Sequence, residues 1–162
     1  MPLPPPQPKP PTPKALWVSV TDGPTACSLA AVAVTKQQSV VLTAPVEAIL
    51  SLGPNHLPAL WLHALTKVPE AAPWLRLAVQ CGAHPGMAQA VLGLKADHTP
   101  GTQALDSLVL ARLPDAAEAA LKAIATELGV EILSETALGT IVDLPPGSAQ
   151  DRVAALLDTV PS

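Results

Sequence analysis

The segment with the greatest capacity for chemistry is Cys81-Gly82-Ala83-His84-Pro85-Gly86. A thiol close to a helix N-terminus has a lowered pKa and a larger thiolate fraction. A thiol enzyme also needs a base beside its nucleophile, and His84 follows Cys81 by three residues. The same loop could instead hold an anion. Gly82 and Gly86 let the backbone approach a ligand, a following helix would aim free N–H groups at it, and His84 would add a titratable donor. Each reading has a plainer competitor. A cysteine at a strand end is commonly a buried packing residue, and Gly and Pro also build tight strand-to-helix turns that bind nothing. The spacing matches neither G-x-G-x-x-G nor G-x-x-x-x-G-K-[ST].

A second loop, Thr21-Asp22-Gly23-Pro24-Thr25, combines Gly and Pro with polar side chains in the same way. Asp22 is its only carboxylate. A phospho-acceptor or metal site of the receiver type would need acidic neighbours, and the residues before Asp22 are neutral, so a turn or capping role competes strongly. The expected ligand-binding set is therefore Asp22, Gly23, Thr25, Gly82, His84 and Gly86, with Cys81 and His84 as the candidates for catalysis. His56, His63 and His98 are scattered with no spacing that makes a ligand set, and no CxxC occurs, so no metal is expected. Cys27 sits in an Ala-rich helical run and reads as core. No particular cofactor is implied.

The elements that would carry these loops follow from apolar runs and their breakers. Strands are predicted at 15–21, 39–43, 75–80, 107–111 and 130–133, with 141–144 as an extra edge strand. Helices are predicted at 25–35, at 57–67 after a shorter piece broken at Gly53-Pro54, at 87–94, at 115–128 and at 149–160, with 95–105 as a polar loop. Gly129 supplies the stop of the helix at 115–128. Nearly all-apolar strands alternating with helices predict an α/β fold: one open, mainly parallel five-stranded sheet with helices on both faces. The expected order is the flavodoxin-like 2-1-3-4-5, with 3-2-1-4-5 as the alternative. In the first order the ligand crevice falls between strands one and three, where both candidate loops end.

Composition narrows the classes of function. The chain has 162 residues, enough for one domain. It is 49% hydrophobic with no Phe or Tyr and three Trp, so Leu, Val, Ile and Ala must fill the core. Nine Lys and Arg stand against 13 Asp and Glu, a formal charge of −4. Nucleic-acid binding needs cations for phosphates and aromatics for stacking, and neither is clustered here. Pro, Thr or Lys interrupts every apolar stretch well short of the ~20 residues that cross a bilayer. The first thirteen residues hold eight prolines in place of a signal peptide, so a cytoplasmic location with free thiols is expected.

Residues 1–14 (MPLPPPQPKPPTPK) favour polyproline II and read as a disordered tail before an α/β domain at 15–162. The competing reading is a docking arm using the PxxP spacing at Pro5–Pro8 or Pro10–Pro13. The run Leu77–Leu94, with its CG-x-x-PG-x-A turn at Cys81–Ala88, and Ser39–Pro45 resemble a set of small uncharacterised bacterial proteins. That resemblance implies an α/β fold and carries no activity. Three functions remain open: a non-catalytic small-ligand-binding or accessory protein, with a small anionic ligand or a protein partner of the tail; a small thiol-dependent enzyme using Cys81 and His84; or a structural subunit docking through its proline arm.

Overall fold

The computed structural model describes residues 15–159. The proline-rich stretch 1–14, and with it the expectation of a disordered tail or arm, lies outside the described residues.

The chain alternates strand and helix as its apolar runs require. The strands are β1 (Leu16–Ser19), β2 (Val40–Thr43), β3 (Leu75–Gly82), β4 (Leu105–Leu110), β5 (Glu131–Ser134) and β6 (Ile141–Asp143). The helices are α1 (Gly23–Lys36), α2 (Val46–Leu52), α3 (His56–Lys67), α4 (Pro85–Ala96), α5 (Asp115–Leu128) and α6 (Gln150–Asp158). The expected polar loop at 95–105 is shorter than the sequence suggests. The last turn of α4 takes its start, and a 3-10 turn at Thr102–Ala104 leads into β4 at its end. Among the described residues no helix is long and apolar enough to cross a membrane.

All six strands are parallel and form one sheet, in the order β5-β4-β3-β2-β1-β6. This corrects both expected orders. β2 lies between β1 and β3, the sheet has six strands, and the reversal of direction falls between β1 and β6. Each successive strand from β1 to β5 is laid beside its predecessor, the commonest outcome for consecutive elements.

That order has a consequence for the helices. Four right-handed crossovers stepping in one direction place their helices on the same face. α6, α1 and α3 pack side by side, as do α4 and α5, and all contribute to a single core. Val18, Val40, Leu42, Leu77, Val79, Leu108 and Leu110 face that core from the strands. Residues of opposite parity, Val41, Ala78 and Val109, are buried but stand outside it. The expectation of helices on both faces is therefore corrected to a helix layer on one face. The period-two alternation assigns Trp17, Ser19, Val41, Thr43, Arg76, Ala78, Gln80, Ser107 and Val109 to the other.

The return from β5 to β6 bends the sheet. In a flat sheet, five spacings of about 4.8 Å would separate β5 from β6 by roughly 24 Å, before counting the climb back to the start of β6. Residues 135–140 make this connection, and Glu135–Ala137 form a 3-10 turn. Their reach is roughly 20 Å, because a 3-10 turn advances only about 2 Å per residue. The sheet must therefore curl, bringing its edges together around the helix-free face. Curling explains how Thr43, Ala78 and Val109 have no exposed surface without a second helix layer.

Small side chains hold the helix layer close. Ala26, Ala30 and Ala33 of α1 are buried at helical spacing with Leu29 between them. The single buried tryptophan among the described residues, Trp61, satisfies its indole by donating from Nε1 to the Leu75 carbonyl at 3.0 Å.

Candidate functional site

The strands that carry the two loops singled out by sequence, β1 and β3, are not neighbours: β2 lies between them. Asp22 and Thr25 instead join the loop that follows β6. Asp22 is the N-cap of α1, and its Oδ2 accepts from the Thr25 N–H at 3.2 Å and the Gly147 N–H at 3.1 Å. The buried Thr25 hydroxyl accepts from the N–H groups of Gly147 and Ser148 at 2.9 and 3.3 Å. Gly23 opens α1 against the His63 imidazole, and an added Cβ would come within 2.9 Å of its Cδ2. The reversal between β1 and β6 is thus clasped by the chain's own backbone.

Burial opposes the Asp22 charge, but hydrogen bonds from the Thr25 side chain and the N–H groups of Gly147 and Thr25 outweigh it and hold the carboxyl below its ordinary value near 3.8. A carboxyl depressed in the folded state stabilises above its unfolded pKa, and this contribution disappears as pH falls through the folded pKa. Asp22→Ala should cost about 1–2 kcal/mol, the usual loss of an N-cap. Urea denaturation should show the difference between Asp22→Ala and the parent at neutral pH and find it shrinking below about pH 4. A difference independent of pH would contradict the charged clasp.

The other loop is divided. Cys81 ends the core-facing row of β3 with no exposed surface, and its Sγ lies 3.8 Å from the Val79 carbonyl. Burial pushes the Cys81 thiol up to about 12, so it is protonated at neutral pH. Gly82 takes a left-handed φ of +54°, and a Cβ there would press on Val46 of α2 at 3.2 Å. His84 is exposed and caps α4 without a side-chain hydrogen bond. Gly86 is exposed in the first turn of α4 with open space around it. Cys81 and His84 are linked only through backbone, His84 N–H to Cys81 carbonyl at 3.1 Å.

A different part of the carboxyl edge is concave. A groove of about 550 Å³ opens where β4 and β5 end beside α5. Leu110, Ile132 and Leu133 are apolar members of its lining. Arg112 rises from the β4–α5 loop, Glu118 and Lys122 from α5, and Ser134, Glu135 and Thr136 from the end of β5. Lys122 is paired with Glu118 at 3.0 Å, one helical turn away, whereas Arg112 makes no ion pair among the described residues. The Ser134 and Thr136 hydroxyls lie 2.9 Å apart.

No protein-family model matches this chain, and no curated protein or solved structure matches it significantly. Among the described residues, no group of three or more His, Cys, Asp or Glu side chains is placed to hold a metal ion. The groove residues were not singled out from sequence. The signal was nonetheless present, since Arg112 and Ser134-Glu135-Thr136 directly follow two predicted strands. The switch-point rule, applied to an order the chain does not adopt, directed attention to β1 and β3.

Proposed function

We propose that this chain is a non-catalytic binding or accessory domain that holds a small molecule carrying an anionic group at the carboxyl ends of β4 and β5. The observation that carries this reading is the groove itself. Arg112, with no ion-pair partner among the described residues, lines it together with Leu110, Ile132 and Leu133 and with two hydroxyl residues, Ser134 and Thr136. A guanidinium forms paired, charge-assisted hydrogen bonds to a carboxylate or phosphate. Ser134 and Thr136 share one hydroxyl hydrogen bond, which leaves the other O–H of the pair free to donate to a ligand oxygen, and Leu110 and Leu133 can take a carbon skeleton. Ligands of parallel sheets collect at the carboxyl ends of strands, which is where this groove lies. The groove lining contains neither thiol nor imidazole, a composition suited to holding a ligand rather than attacking one. Cys81, the thiol an enzyme reading would use, is sealed and protonated.

Native mass spectrometry of the protein purified from its own host tests this. The parent should carry an added small mass that Arg112→Ala loses, with affinity weakened by about tenfold or more, the cost of one charge-assisted hydrogen bond. An adduct retained unchanged in Arg112→Ala would place the ligand elsewhere, and a bare parent would argue against a bound ligand.

A further inference from the structure

The lining of the groove at the ends of β4 and β5 is balanced in charge, with Arg112 and Lys122 against Glu118 and Glu135. Glu118 and Lys122 neutralise each other at 3.0 Å. Arg112 and Glu135 are left, and neither forms an ion pair among the described residues, with each other or with any other side chain. The sheet register makes these two neighbours. Leu110 of β4 lies opposite Ser134 of β5. Arg112 follows Leu110 by two residues and Glu135 follows Ser134 by one, so both leave adjacent strand ends, which are about 4.8 Å apart. A bare anion held by Arg112 would therefore meet a like charge at Glu135, and like charges select against a ligand as opposite charges select for it. A ligand with an ammonium beside its carboxylate satisfies both.

We propose that the ligand of this groove is a zwitterion, a free α-amino acid with an apolar side chain. This rests on the reading that Arg112 holds the ligand's anionic group. An α-amino acid carries both charges on one carbon, so one small molecule meets Arg112 and Glu135 together. The guanidinium donates paired hydrogen bonds to the carboxylate, and Glu135 accepts from the ammonium. The hydroxyl left free in the Ser134–Thr136 pair adds a donor to the carboxylate. Ile132 and Leu133, both partly exposed, are left for the apolar side chain. A volume of about 550 Å³ lies within the usual range of small-molecule sites. The terminus of a peptide offers only one of the two charges, so it matches the groove less well.

Three ligands with one carbon skeleton test this in the full chain: leucine, isocaproate, which lacks the ammonium, and isoamylamine, which lacks the carboxylate. Amide shifts in two-dimensional NMR give a Kd for each. Leucine should bind about tenfold or more tighter than either, the worth of one charge-assisted hydrogen bond. Glu135→Ala should erase its advantage over isocaproate, and Arg112→Ala its advantage over isoamylamine. Both positions are exposed, so both variants should fold. Isocaproate binding the parent as tightly as leucine would overturn the zwitterion and leave the anion site standing. A preference for leucine over isocaproate that survives Glu135→Ala would overturn it as well. No shift at the ends of β4 and β5 with these ligands, or with any other small carboxylate or phosphate monoester, would overturn both readings.

Discussion

Gly101→Ala should be the most destabilising single-methyl change in the molecule, at about 3 kcal/mol. Gly101 sits at φ +94°, and an added Cβ would lie 2.5 Å from the carbonyl oxygen of Pro58 in α3. Left-handed backbone costs an L-residue about 1–2 kcal/mol. The clash adds a further 1–3 kcal/mol, roughly the penalty of overpacking, because a backbone oxygen cannot rotate away as a side chain can. At about 2–4 °C per kcal/mol for a domain of this size, the melting temperature should fall by roughly 10 °C. Gly129→Ala is the matched control: its φ is +73°, but nothing lies within 4 Å of the new methyl. It should cost only the strain, about 1 kcal/mol. Equal losses at the two positions would show that α3 and the loop before β4 are not in contact as described.

Leu77→Ala should cost about 3 kcal/mol, within the usual range for a buried leucine. Leu77 lies on a central strand with no exposed surface and faces the helix layer. A pair of valines compares the two faces of the sheet. Val79 belongs to the core under the helices, whereas Val109 belongs to the other face. Val79→Ala and Val109→Ala should each cost about 2 kcal/mol, because neither side chain is exposed and each deletion leaves a buried cavity. Denaturant titration reads both. A markedly smaller loss at Val109 would indicate that the helix-free face is not closed over as the curled sheet requires.

The strands, most helices and the parallel direction were legible because each element carries its own signal. The helix over 115–128 was readable to the residue from its apolar spacing and Gly129. The edge strand at Ile141 was legible from its short β-branched run. The strand order was not legible, because the direction of each crossover is set by packing between elements distant in sequence. The one-faced helix layer was partly written in the chain. Leu75-Arg76-Leu77-Ala78-Val79-Gln80-Cys81 alternates large apolar residues with small or polar ones, the pattern of a strand covered unequally on its two sides. Reading that run as uniformly apolar placed helices on both faces, and the resulting order drew the expected site to β1 and β3. Asp22 and Thr25 were polar for a local reason, the clasp on Gly147, which no reading of the first loop alone could reveal.

Titrating isotope-labelled protein with small carboxylic acids and phosphate monoesters, followed amide by amide in two-dimensional NMR, bears most directly on the proposed binding site. Saturable shifts should cluster at Arg112, Ser134, Glu135 and Thr136 and vanish in Arg112→Ala, while the clasp at Asp22 and Gly147 stays still. Shifts centred on His84 and Gly86, or none at the ends of β4 and β5 with any probe, would contradict it.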